Sequence, residues 1–156
     1  MKIITADRSD LEEILKVQKK AFYPVSFFYN NPDLGPLHTT LDELNEHFNE
    51  YTYLKAVEGN LIIGFLRAKR IDDSCKIESV SVDPEWQKRG IGSQLIKAIE
   101  AIFRDVDNYE LLTGLKTPGN VTFYSKMNYQ IKERIPGTRT IPELVLMQKK
   151  SGYKNA

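Results

Sequence analysis

The residues Gln87-Lys88-Arg89-Gly90-Ile91-Gly92-Ser93 lie between an apolar run that ends at Val82-Asp83-Pro84 and a stretch of helical apolar spacing. Gly90 and Gly92 let backbone N–H groups approach a ligand with no Cβ in the way. A helix that starts at Gly92 or Ser93 adds unpaired donors and positive potential. Lys88 and Arg89 add side-chain charge. The chemistry on offer is the binding of an anion, a phosphate or pyrophosphate. Two other phosphate motifs fit badly. The P-loop ends in Gly-Lys-Ser/Thr, which is absent, and the dinucleotide fingerprint needs a third glycine where Leu95 stands. A glycine-rich turn with two solvated cations is the bland alternative.

The surrounding elements must position this loop. Lys2 to Thr5 reads as a short edge strand. Asp7 or Ser9 caps a helix whose positions Leu11, Ile14, Leu15 and Phe22 keep helical spacing, and Pro24 stops it. Residues 23–38 read as a long loop, marked by Asn30-Asn31-Pro32-Asp33 and Gly35-Pro36. Thr39 or Thr40 caps a second helix from Leu41 to about Glu50. Tyr51 to Val57 and Leu61 to Ile71 form an antiparallel hairpin around Glu58-Gly59-Asn60. Asp72-Asp73-Ser74 turns the chain into a strand from Cys75 to Val82, where alternation places Glu78 on one face with Val80 and Val82. The helix after the loop runs to about Arg104 and buries Ile91, Leu95, Ile99 and Ile102. Tyr109 to Gly114 is a strand, Asn120 to Lys126 a short helix, and Tyr129 to Ile135 and Glu143 to Gln148 are strands. The tail from Lys149 is polar and reads as frayed. Helices interleaved with a mixed sheet give an α/β or α+β sandwich.

Composition narrows the function classes. A chain of 156 residues fits a single domain spanning residues 1–156 and needs no metal or disulfide staple. Lys plus Arg number 22 against 21 Asp plus Glu, which argues against a nucleic-acid partner recruited by bulk charge. Cys75 stands alone, so no internal disulfide and no cysteine-rich zinc site can form, and no metal is expected. The N-terminus reaches Asp7 before any long apolar run. No signal peptide, membrane span or membrane partner is therefore expected, and the expected location is the cytoplasm.

A second block joins the first. Gln87-Lys88-Arg89-Gly90-Ile91-Gly92, after a strand ending in Val82-Asp83-Pro84, resembles the acetyl-CoA loop of the GCN5-related N-acetyltransferases (GNAT). Phe123-Tyr124-Ser125-Lys126-Met127-Asn128-Tyr129 resembles the Phe-Tyr-x-Lys-x-Gly-Phe segment of the same family. The block spacing and element order match as well. The resemblance covers roughly residues 2–149 and is most specific over residues 76–130. Two departures stand out. The family often has Asn seven residues before the tyrosine; Thr117 stands there, with Asn120 nearby as the other polar group. The usual glycine is Asn128, which can adopt the same left-handed conformation.

The resemblance implies a mixed, mostly antiparallel central sheet flanked by helices, with acetyl-CoA as co-substrate. The pantetheine arm would lie along Val80, Ser81 and Val82 like an added strand. The Val82 N–H would then face the thioester carbonyl and stabilise the oxyanion. Residues 87–93 would hold the pyrophosphate, with Thr117, Asn120 and Tyr124 as further cofactor contacts. The acceptor is a small-molecule or peptide amine, which must lose a proton before it attacks. Glu78, an acid within an apolar strand, is the candidate base, against a structural acid paired to a neighbouring strand. Tyr124 is the candidate acid for the leaving thiolate, against a tyrosine that anchors its helix. Cys75 has no histidine near it in sequence and reads as a buried thiol, not a nucleophile.

Residues 21–54 hold no Lys or Arg, but they hold Asp33, Asp42, Glu43, Glu46, Glu50 and many aromatics. This window lines the acceptor side in relatives, and an acidic, aromatic wall would attract an amine cation. Phe27, Phe28, Tyr29, His38 and Glu78 are the candidate acceptor contacts; His38 and His47 read otherwise as surface or capping residues. Core aromatics and solvated acids are the alternative. Protein N-termini, lysine side chains, polyamines, amino acids and aminoglycosides all stay open as acceptors. Two rival readings are a non-catalytic acyl-CoA-binding or sensor module and a nucleotide-binding protein using the same loop. Relatives are often homodimers, and no sequence feature decides the oligomeric state here.

Overall fold

A computed structural model describes residues 1–139 and 141–153. The strands are β1 (Lys2–Thr5), β2 (Thr52–Glu58), β3 (Leu61–Ile71), β4 (Ser74–Val82), β5 (Asn108–Gly114), β6 (Gln130–Ile135) and β7 (Leu144–Lys150). They form a sheet of order β1-β2-β3-β4-β5-β7-β6. Among the described residues β4 and β5 run parallel and the other neighbours antiparallel. The helices are α1 (Leu11–Phe28), α2 (Leu41–His47), α3 (Ile91–Ile102) and α4 (Asn120–Lys126).

Local chemistry starts two of them. Asp7 accepts from the Ser9 N–H while Asp10 accepts from the Asp7 N–H, and α1 follows that turn. Thr40 accepts from the Glu43 N–H at 3.2 Å and Glu43 accepts from the Thr40 N–H, which fixes the start of α2. Pro24 does not stop α1, which continues to Phe28, so the loop expected over residues 23–38 begins later. Proline removes one helical hydrogen bond and crowds the preceding turn. Here the Ser26 hydroxyl donates to the Tyr23 carbonyl and the Tyr29 N–H to the Val25 carbonyl, holding the last turn together.

The sheet is covered on both faces. Alternate strand residues divide between two clusters. Leu54, Leu66, Ile77 and Leu111 pack with Leu95, Ile96 and Ile99 of α3 and Tyr124 of α4. Tyr53, Ile62 and Phe65 pack with Leu11, Ile14 and Val17 of α1 and Leu44 of α2. The expected frayed tail is corrected in part. Strand β7 runs on to Lys150 beside β5, the Ser151 N–H donates to the Asp107 carbonyl at 2.8 Å, Ser151 is buried, and the Lys149 ammonium pairs with the buried Glu100. Residues 154–156 lie outside the described residues. Among the described residues no helix is long and apolar enough to cross a membrane.

Candidate functional site

Strands β4 and β5 are paired only from Ser74 to Ile77 and from Asn108 to Leu111. Beyond that they separate. The register explains why. Arg67 pairs with Glu78 and Phe65 with Ser81, so β4 carries an extra residue at a bulge, and Ser79 there has a φ of 61°. The bulge also corrects the expected facing of Glu78. It inverts the alternation, so Glu78 shares the α1 face with Arg67, while Val80 and Val82 pack against the α3 cluster.

The same register exposes a backbone donor. The Asp83 N–H donates to the Ile63 carbonyl at 2.8 Å, which makes that a hydrogen-bonded pair. Val82, opposite Gly64, then falls in a non-hydrogen-bonded pair, and its N–H points away from β3 toward the open edge.

A cleft of about 490 Å³ occupies the separation. Glu78, Ser79 and Val80 line it from β4, and Leu112, Thr113 and Gly114 from β5. It passes from one face of the sheet to the other. Phe22 and Val25 of α1 and Tyr29 just past its end line it on one face, and Asn120 and Tyr124 of α4 on the other. Thr117 and Tyr29 close its flank, their hydroxyls 2.7 Å apart. Gly114 permits this approach, since a Cβ there would land on Thr117 Oγ1 and Tyr29 Oη. Asn120 donates to Thr113 Oγ1 at 3.0 Å. Tyr124 is buried against Phe123 and Tyr129, and that burial pushes its phenol pKa up.

The start of α3 continues from the β4 edge. Gly90 precedes the helix with a φ of 81°, a conformation that favours glycine, and no side chain caps this end. An α-helix leaves its first N–H groups without internal acceptors. Gln87 Nε2 donates to the Val82 carbonyl at 3.0 Å and ties the loop to the strand. Ser93 donates back to the Gly90 carbonyl. Lys88 is exposed, and Arg89 lies over the Trp86 ring. Gly92 also serves packing: a Cβ there would meet the Phe123 ring at 3.3 Å, so its bare backbone allows α3 to pack on α4. Asn128 takes the left-handed conformation expected of it, with a φ of 72°.

The acceptor-side residues divide. Tyr29 and Glu78 line the cleft. Phe27 and Phe28 do not; they stand 69% and 52% exposed, because α1 continues and turns them outward. His38 is engaged with the Pro32 carbonyl and Asp33, outside the cleft lining. The five acids of the window lie outside the cleft lining, with Glu43 in the α2 cap and Glu50 against His47. Cys75 is buried, and burial pushes its thiol up to about 12.

Sequence reasoning missed Arg67 and Tyr51. Arg67 Nη2 sits 3.1 Å from Glu78 Oε2, its guanidinium lies 4.0 Å from the Tyr51 ring centre, and Nη1 donates to Tyr53 Oη. Lys76 is 3.6 Å from the other carboxylate oxygen. Burial and then the hydrogen bond to Glu78 push the Tyr51 phenol pKa up. The signal for Arg67 was present: counting outward from the two-residue turn Asp72-Asp73 pairs it with Glu78. Among the described residues no three His, Cys, Asp or Glu side chains gather as metal ligands would.

Residues 11–129 match the Acetyltransferase (GNAT) family. The chain is 26% identical to the uncharacterized protein YyaT of Bacillus subtilis over 136 residues, 86% of this chain and 84% of that one. It is 39% identical over 64 residues to an uncharacterized N-acetyltransferase of Methanocaldococcus jannaschii, covering 40% of this chain and 28% of that one. Its fold is similar to that of the PaiA N-acetyltransferase of Thermoplasma acidophilum, solved in complex with coenzyme A, with a TM-score of 0.80 and 17% identity over 96% of this chain and 99% of that one.

Proposed function

The chain belongs to the Acetyltransferase (GNAT) family, and on that footing we propose that it transfers the acetyl group of acetyl-CoA to a primary amine by direct attack in a ternary complex. One observation carries the reading: an unpaired strand edge, with the Val82 N–H at its end, leads straight into the uncapped start of α3. An extended chain with amides suits the edge, and a diphosphate suits the helix start. The coenzyme A bound by the structurally similar PaiA protein supports the same ligand here.

Bound there, acetyl-CoA supplies an activated thioester. The amine arrives from the α1 face, where Glu78 lines the cleft. Glu78 takes its proton, directly or through a water, and the nitrogen lone pair attacks the carbonyl carbon. The Val82 N–H donates to the carbonyl oxygen as negative charge gathers on it. The new C–N bond forms, the C–S bond breaks, the sulfur takes a proton from Tyr124, and the extra proton still on the amide nitrogen passes through water to restore the phenol. Burial keeps the Tyr124 phenol protonated and also makes it a reluctant acid, so its role rests on lining the cleft beside the leaving thiolate.

A second reading, an acyl-CoA-binding module without turnover, draws on one feature: Glu78 is engaged by both Arg67 and Lys76. The test is free-thiol release from acetyl-CoA over a panel of primary amines, with products identified by mass spectrometry. Thiol release matched by N-acetylated product supports the transferase. Binding of acetyl-CoA without any acetylated amine supports the module.

A further inference from the structure

We propose that the acceptor is a small monoamine on an apolar body, an alkylamine or arylalkylamine. This rests on the acetyl-transfer reading above. The cleft opens to the α1 face, and the walls there are Phe22, Val25, Leu34 and Pro36, with Ile141 and Pro142 from the connection between β6 and β7. The charged residues among its walls are Lys76 and Glu78. A single carboxylate can receive a single ammonium. A second cation on the acceptor would meet no acid, and Lys76 would repel it. Arg67 and Lys69 add positive charge behind Glu78 around the Tyr51 ring. None of the acids at 33, 42, 43, 46 and 50 that could have served a polycation lines the cleft; Asp33 faces His38, Glu43 caps α2 and Glu50 pairs with His47.

An apolar body gains from these walls by leaving water, and a polar one loses hydration where the Tyr29 and Thr117 hydroxyls are already bonded to each other. Space sets the size. A cleft of about 490 Å³ must hold the acetyl-bearing arm as well, which leaves room for one ring or a short alkyl chain.

The test compares kcat/KM for phenylethylamine, isoamylamine, spermidine, kanamycin and a tetrapeptide with a free N-terminus, at saturating acetyl-CoA. Thermal shift with CoA is measured alongside on the same protein. Phenylethylamine should exceed spermidine, kanamycin and the peptide by about tenfold or more. Val25→Glu should shrink the phenylethylamine-to-spermidine ratio by about tenfold, and its CoA-induced shift reports that it still folds and binds. Spermidine, kanamycin or the peptide matching phenylethylamine overturns the inference, as does failure to acetylate any monoamine while CoA still stabilises the protein. Absence of any CoA-induced shift in the wild type instead removes the acetyl-transfer reading, and the inference falls with it.

Discussion

Arg67 and Glu78 meet across the β3–β4 hairpin, Nη2 3.1 Å from Oε2, at the last regular pair before the bulge that opens the cleft. The ion pair fixes the carboxylate at the mouth of that opening. Tyr51 lies against the guanidinium and Tyr53 accepts from it, so two tyrosines of the β2 region hold the arginine that holds the glutamate. Position and orientation of Glu78 are therefore set by the sheet, not by a loop.

Glu78→Gln should lower kcat by about 100-fold, and Tyr124→Phe by about 10- to 100-fold, with CoA binding retained in both. Phenylalanine keeps the ring packed on Phe123 and Tyr129, so Tyr124→Phe should fold as the wild type does. Steady-state kinetics with calorimetric CoA titration check this. Unchanged kcat in the double variant would leave both residues structural.

Gly114→Ala drives a methyl group into the Tyr29–Thr117 contact. The strand or the clasp must give way, at a cost of about 1–3 kcal/mol. Acetyl transfer should fall with it, because both hydroxyls line the cleft. Urea denaturation and kinetics on the same preparation report the two effects; a fully stable, fully active variant contradicts the contact.

Much of this was legible in the sequence, for physical reasons that differ by segment. Leu61–Ile71 and Asn120–Lys126 emerged at their observed bounds, because turn residues and apolar period mark both ends. The extent of α1 did not, since Pro24 is a local veto that local hydrogen bonds around Ser26 and Tyr29 outweigh. The facing of Glu78 was misread because strict alternation holds only without a bulge, and no residue type announces the one at Ser79. Phe27 and Phe28 share residue type with the cleft residue Phe22, and only the helix phase separates them, while His38 is drawn off by the Pro32 carbonyl and Asp33.

Lys149→Met should destabilise the protein. Glu100 is buried, and among the described residues it would keep only the Tyr129 hydroxyl, 2.7 Å away, as a side-chain partner. Removing one member of a buried pair costs about 3 kcal/mol, which for a domain of this size lowers Tm by about 6–12 °C. Calorimetry checks it; an unchanged Tm would mean the last strand is held without this pair.

Cys75 gives stability a pH dependence on the alkaline side. Burial, with the Glu100 charge adding to it, pushes the folded thiol up to about 12, against a reference value of 9.0. Below about pH 9 both states keep the proton and the thiol adds no slope. Above it the unfolded chain ionises first, so stability falls as pH rises, by up to about 1.4 kcal/mol per pH unit. Urea midpoints from pH 7.5 to 10.5 should decline, and less so in Cys75→Ala; equal declines would contradict the burial.

The central claim is that main-chain amides from Val82 to the first turn of α3 grip coenzyme A. Amide chemical shifts of nitrogen-labelled protein titrated with CoA test it directly. The account predicts the largest changes at Val82, Gly90, Ile91, Gly92 and Ser93, and none at Val82 when ATP, which has no pantetheine arm, replaces CoA at the same concentration. Saturation by CoA with these five amides unmoved would contradict it.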